Sequence, residues 1–125
     1  MKHGQYVLFF GLLGLDQLGS WYIRQHHSLE THRWFTALPG MWSWGVAIGI
    51  LILIRRTWLR DAAYRLSFTL MLAGASSNAL TFLFFSKVFD YLPLGPFFLN
   101  IADLCILTGI VWSSGLFYQK TLRQS

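Results

Sequence analysis

Apolar residues along this chain gather in four runs, at 5–23, 41–54, 66–85 and 98–118, separated by short polar stretches. A helix that crosses a bilayer needs about 20 predominantly apolar residues. Three of the runs meet or approach that length. The second has fourteen residues and needs its flanks or a locally thinned bilayer. The first run could be mistaken for a cleaved leader. Only Lys2 precedes it, Asp16 interrupts it and no small-residue cleavage site follows, so a retained helix is expected.

The bases sit at the ends of these runs. With the N-terminus inside, the inner segments hold Lys2, Arg55, Arg56, Arg60, Arg65, Lys120 and Arg123, and the outer ones Arg24, Arg33 and Lys87. That bias predicts four spans with both termini in the cytoplasm. The expected fold is an all-α membrane protein in a single domain, residues 1–125. An outer loop or small β-cradle is expected between the first two helices, where 24–40 turns polar and then amphipathic. Trp34, Trp42 and Trp44 suit an interfacial aromatic belt.

Composition sharpens this picture. Only 12% of residues are charged, about half the share of an average soluble domain. The net charge of +5 comes from bases that flank apolar runs and form no stripe on a polar domain, so no nucleic-acid partner is expected. Cys105 lies alone in an apolar run and forms no internal disulfide. His26, His27 and His32 share a wet loop without ligand spacing or a Cys partner, so neither metal nor other cofactor is expected.

The polar residues inside the runs carry the candidate chemistry. A carboxylate near the middle of a membrane helix costs roughly 2.5–3.5 kcal/mol on insertion scales and is functional by default. Asp90 and Asp103 bracket a turn with Pro93, Gly95 and Pro96, and each can partner the other. Asp16, Gln17 and Ser20 share a helix face, fitting either an interhelical polar contact or a functional role. Gly74, Ser77, Asn78 and Thr81 form a small, polar stripe that should face protein. Gly45 and Gly49 make a GxxxG pair suited to tight helix packing. Asn100-Ile101-Ala102-Asp103 opens the last run; it fits a capping box and a catalytic tetrad equally. In the predicted topology Asp16, Asn78, Asp90 and Asp103 converge towards the outer face.

Two aspartates held about 3 Å apart cannot both ionise, and the pair shares a proton. The charged member can deprotonate a water and the neutral one can donate to a peptide carbonyl, hydrolysing an amide by general acid–base catalysis. An extended peptide in lipid needs hydrogen-bond partners, which Asn78, Asn100, Ser43 and the 24–40 segment could supply.

The order Asp16-Gln17, Gly45-x-Ala47, Gly74-Ala75-x-x-Asn78, Val88-x-Asp90, Asn100-x-Ala102-Asp103 resembles lipoprotein signal peptidase, also called signal peptidase II. The likeness runs over nearly the whole chain. It implies an aspartic peptidase of the bacterial cytoplasmic membrane that removes signal peptides from prolipoproteins just before a diacylglyceryl-modified cysteine. It implies that Asp90 and Asp103 are the catalytic dyad, and that Asp16, Asn78 and Asn100 shape the site and hold substrate. Ser43 and Gly45 fall at a further stretch of the pattern. A monomer working on lipid-modified substrate within membrane lipid is expected. The chain departs from the family at three places: Ser20 stands where a lysine is usual, Ser43 where an asparagine is usual, and Thr81-Phe82 where Asp-Arg is usual. The contrasting readings are a non-catalytic four-helix assembly or chaperone protein, whose polar residues act as helix glue and caps, and a small transporter or proton relay. The relay is weaker because the acids sit near one face and trace no path across the bilayer.

Overall fold

The computed structural model describes residues 3–26, 33–35, 61–85 and 87–123, with Ile52 and Arg55. Its elements in chain order are α1 (His3–His26), β1 (Arg33–Phe35), α2 (Ala62–Phe85), β2 (Val88–Asp90), β3 (Leu92–Leu94), β4 (Phe97–Leu99) and α3 (Ile101–Leu122). The second expected span, with Ser43, Gly45 and Gly49, lies outside the described residues except for Ile52.

The fold is mostly helical. Each described helix overlaps a sequence-predicted run and differs from it by a few residues at its ends, and the ends have local causes. Asp61 precedes α2, and its carboxylate accepts from the Ala63 amide at 3.0 Å, as an N-cap does. Arg24 and His26 close α1, where cations suit the helix dipole. The α2 and α3 helices are long and apolar enough to cross a membrane.

Burial is inverted relative to a protein that folds in water. Asp16, Ser20, Ser67, Thr69, Ser77, Asn78, Thr81 and Ser113 are buried, while Val7, Phe10, Leu83, Phe84 and Val111 face outward. Exposed aliphatic and aromatic side chains on every long helix would be unfavourable in water and suit lipid. This is a membrane protein.

Packing is closest between α2 and α3, with α1 set mainly against α2. Two glycines permit the α2–α3 approach. A methyl at Gly74 would run into the Ala102 carbonyl oxygen, and one at Gly109 would run into Met71 and the Ser67 carbonyl. The polar stripe of α2 is buried, as its spacing predicts: Gly74, Ser77, Asn78 and Thr81 all face protein.

The strands extend the sequence reading in one place and correct it in another. The stretch after α1, where an outer loop or small β-cradle is expected, contributes β1, and its partner comes from beyond α2. β1 pairs antiparallel with β2, which follows α2, so that Arg33 stands opposite Asp90 in register and Phe35 opposite Val88. The last helix also starts at Ile101 and not at Phe98, because Phe97–Leu99 pair as β4 with β3. The turn between them is Gly95-Pro96. Gly95 has φ +61°, the left-handed region that a two-residue hairpin turn demands at its first central position. The hairpin lays its strands just before α3, and Asn100 then turns the chain into the helix.

Candidate active site

The site is built where α1, α2, β2 and the start of α3 meet. A helix begins with four amides that lack intrahelical partners. At α3 all four are satisfied. The Ile101 amide donates to the Tyr91 hydroxyl at 3.4 Å, and Ala102 to Asp16 Oδ1 at 3.2 Å. The Asp103 amide donates to Asn100 Oδ1 at 2.7 Å, and the first intrahelical bond follows, from Leu104 to the Asn100 carbonyl at 3.2 Å. Asp103 returns the favour, accepting the Asn100 amide at Oδ2 over 3.3 Å. The tetrad is therefore a reciprocal capping box.

Capping does not exhaust these side chains. The Asn100 amide nitrogen donates to Asp90 Oδ1 at 2.9 Å and to Asn78 Oδ1 at 3.0 Å. Asn78 in turn donates to Asp103 Oδ1 at 2.8 Å. Asp90 and Asp103 thus belong to one network, bridged by two asparagines from two helices. Asp90 is 6% exposed and Asn100 1%, so the network is strong and unforgiving of a missing partner. Asp90 ends β2, outside the helices, and its pKa is pushed up to about 6. Burial is the main cause, the neighbouring Asp103 charge adds to it, and the Asn100 hydrogen bond opposes both.

Asp16 lies at a second junction and is 2% exposed. Besides Ala102 it accepts the Tyr91 hydroxyl at Oδ1 over 2.9 Å and the Ser77 hydroxyl at Oδ2 over 2.7 Å. One carboxylate therefore ties α1 to α2, to the strand region and to α3. Gln17 adds to the seam, donating to Ser77 Oγ at 2.7 Å and Thr81 Oγ1 at 3.0 Å. Of the two sequence readings of Asp16, the interhelical contact is present. Ser20 and Thr81 are both buried. Arg24 lies over the Phe85 ring, 4.3 Å from its centroid, and donates to the Ser20 carbonyl at 3.0 Å.

Of the seven site residues predicted from sequence, five are described. Asp90, Asp103, Asn78 and Asn100 share one network, and Asp16 sits behind it. Ser43 and Gly45 lie outside the described residues. Tyr91 was missed. A signal was available: a tyrosine hydroxyl in an apolar segment needs a hydrogen-bond partner, and Asp16 was an unpaired acid. Among the described residues no group of three or more His, Cys, Asp or Glu is placed to hold a metal ion.

The model of the family described as signal peptidase (SPase) II matches residues 26–118 of this chain, well over half its length. The chain belongs to the signal peptidase II family. That makes it a member of a family of membrane peptidases of lipoprotein processing. Two solved structures are similar to it, each described as a bacterial membrane enzyme structure obtained by the in meso method. One, at 2.3 Å resolution, superposes with a TM-score of 0.76 at 16% identity, covering 98% of this chain and 92% of the other. The second, at 1.9 Å, gives 0.69 at 17% identity, covering 91% and 92%. At such identity the likeness establishes the fold. No curated protein sequence matches the chain at a significant level.

Proposed function

We propose that this member of the signal peptidase II family is an aspartic endopeptidase that cleaves signal peptides from diacylglyceryl-modified prolipoproteins. Asp90 and Asp103 act as the dyad and share one proton. The ionised carboxylate takes a proton from a water held between them, and the oxygen attacks the scissile carbonyl carbon. The protonated carboxyl donates to the carbonyl oxygen, giving a neutral gem-diol. The carbon–nitrogen bond then breaks as the amine takes the proton from one carboxyl, while a gem-diol hydroxyl gives its proton back to the other carboxylate and the product regains its carbonyl. Each proton lent is returned, so no other reagent is consumed.

The observation that carries this reading is the bridge Asp90–Asn100–Asn78–Asp103. Two acids in one buried network, one of them with its pKa raised towards neutrality, fit the demand that one carboxyl stay neutral while the other is charged. Asn78, Asn100, Ser43 and Gly45 shape the substrate cleft, and Asp16 holds its floor. The single domain of residues 1–125 crosses the bacterial cytoplasmic membrane four times. Both termini are in the cytoplasm and the dyad faces outward, where the precursor's modified cysteine emerges. The protein works as a monomer, without cofactor. The test is cleavage of a purified prolipoprotein by the enzyme and by Asp90→Asn and Asp103→Asn variants.

One observation favours a second reading, a non-catalytic helical membrane protein: Asp103 already has a structural task in the α3 cap. On that reading the same substitutions lower the melting temperature, and no proteolysis occurs with any variant.

A further inference from the structure

Tyr91 stands next to Asp90 in the chain, is 5% exposed, and is held from three sides. Its amide donates to the Leu99 carbonyl at 3.0 Å, which fastens it to the hairpin. Its hydroxyl donates to Asp16 Oδ1 at 2.9 Å and accepts the Ile101 amide at 3.4 Å. Gly19 of α1 leaves the space: a methyl there would stand 3.3 Å from the hydroxyl oxygen. Burial, and then the adjacent Asp16 carboxylate, push the Tyr91 hydroxyl above its ordinary range, so it remains a donor at any working pH.

Asp16 Oδ1 receives two bonds, one from the residue after Asp90 and one from Ala102, the residue before Asp103. A single oxygen on α1 is therefore one bond away from the immediate neighbour of each acid. We infer that the Tyr91 hydroxyl is a positioning group which, through Asp16, fixes the separation between the Asp90 and Asp103 carboxyls. This rests on reading those two acids as the catalytic dyad. The hydrogen bonds of the Tyr91 hydroxyl run to Asp16 and the Ile101 amide, so it acts on the two acids through others.

A positioning role differs from simple packing in what it moves. Tyr91→Phe deletes one oxygen and keeps the ring against Phe89, whose centroid is 5.9 Å away. Loss of folded protein would scale a pH–rate profile down and leave its limbs in place. A changed separation alters the mutual repulsion of the acids and shifts the limbs, which belong to the pair. Asp90 feels the charges of Asp103 on α3 and Asp16 on α1, and Arg33 of β1 stands opposite it in register. Neither the aspartates nor the arginine is altered by Tyr91→Phe.

The experiment uses the full chain in detergent micelles with a diacylglyceryl-modified prolipoprotein as substrate. The kcat/KM profile against pH is measured for the unaltered protein, Tyr91→Phe, Asp16→Asn and the double variant, with Asp90→Asn as control. The expected result is a kcat about tenfold lower for Tyr91→Phe, as for a lost hydrogen bond to a charged group. KM should be little changed and the limbs displaced, and the double variant should be no slower than Asp16→Asn alone. A profile for Tyr91→Phe that is unchanged, or merely scaled down, overturns the inference, as do effects that multiply in the double variant. If Asp16→Asn does not fold, the displacement in Tyr91→Phe decides alone. Full activity of Asp90→Asn sinks the dyad itself, a result distinct from an inactive Asp90→Asn beside an unaltered Tyr91→Phe.

Discussion

The side-chain amide of Asn100 donates to Asp90 Oδ1 at 2.9 Å while its carbonyl oxygen caps Asp103 at 2.7 Å. One residue thus performs two tasks with two different atoms. The oxygen starts a helix and the nitrogen reaches the acid that the helix does not carry. Because the tasks use separate atoms, substitution can separate them.

Asn100→Ser keeps a good N-cap oxygen and loses the nitrogen; Asn100→Ala loses both. The alanine variant should be less stable by about 0.5–2 kcal/mol through the cap alone. The serine variant should recover most of that in a thermal melt. Its cleavage rate should stay depressed by about tenfold or more, because Asp90 and Asn78 have both lost a donor. Equal recovery of stability and activity would show that Asn100 serves only the cap.

The raised pKa of Asp90 has a consequence for stability. Its value in the folded protein is about 6, above the ordinary carboxylate range. Between about pH 4 and 6 the unfolded chain releases a proton that the folded chain retains. The folded chain then binds more protons, so stability is full below that window and falls as pH rises through it. Asp90→Asn removes this contribution. Melting temperatures of the two proteins should diverge from pH 4 to 6 in favour of the variant and run parallel above. Parallel curves throughout would contradict the shift.

Gly74→Ala places a methyl against the Ala102 carbonyl, backbone that cannot swing aside. The α2 and α3 helices must separate. The expected cost is about 1–3 kcal/mol, as for overpacking a core. Asn78 and Asp103 lie on these same two helices, so activity per folded molecule should fall too. A thermal melt paired with a cleavage assay tests both.

Asp61 caps α2 and pairs with Lys120 at 3.3 Å, with both side chains well exposed. Exposed ion pairs contribute little, and asparagine is as good a cap as aspartate. Asp61→Asn should leave melting temperature and turnover unchanged, whereas Asp61→Ala should lower the melting temperature.

Much of this was legible in the sequence because the bilayer simplifies the code. Apolar runs marked α1, α2 and α3, and polar residues within them marked what faces protein. Gly74, Ser77, Asn78 and Thr81 read correctly for that reason. The strands did not, since β1 and β2 are three residues each and pair across a long stretch of chain. Three residues have no periodicity to detect. The start of α3 was misread by three residues because Phe97–Leu99 are as apolar in a strand as in a helix. The capping box and the catalytic tetrad could not be ranked from spacing, because both use Asn100 and Asp103 and the geometry leaves room for both at once. The Tyr91 hydroxyl called for a partner, but no local spacing pairs it with Asp16, which lies 75 residues away in the chain.

Cleavage of a purified diacylglyceryl-modified prolipoprotein, compared between the unaltered enzyme and Asp90→Asn and Asp103→Asn, tests the central claim most directly. The shared-proton dyad predicts that each substitution lowers kcat by at least about 10²-fold, as loss of a general acid or base does. The Asp90→Asn chain should remain folded by thermal melt. Turnover by either folded variant at the rate of the unaltered protein would contradict it.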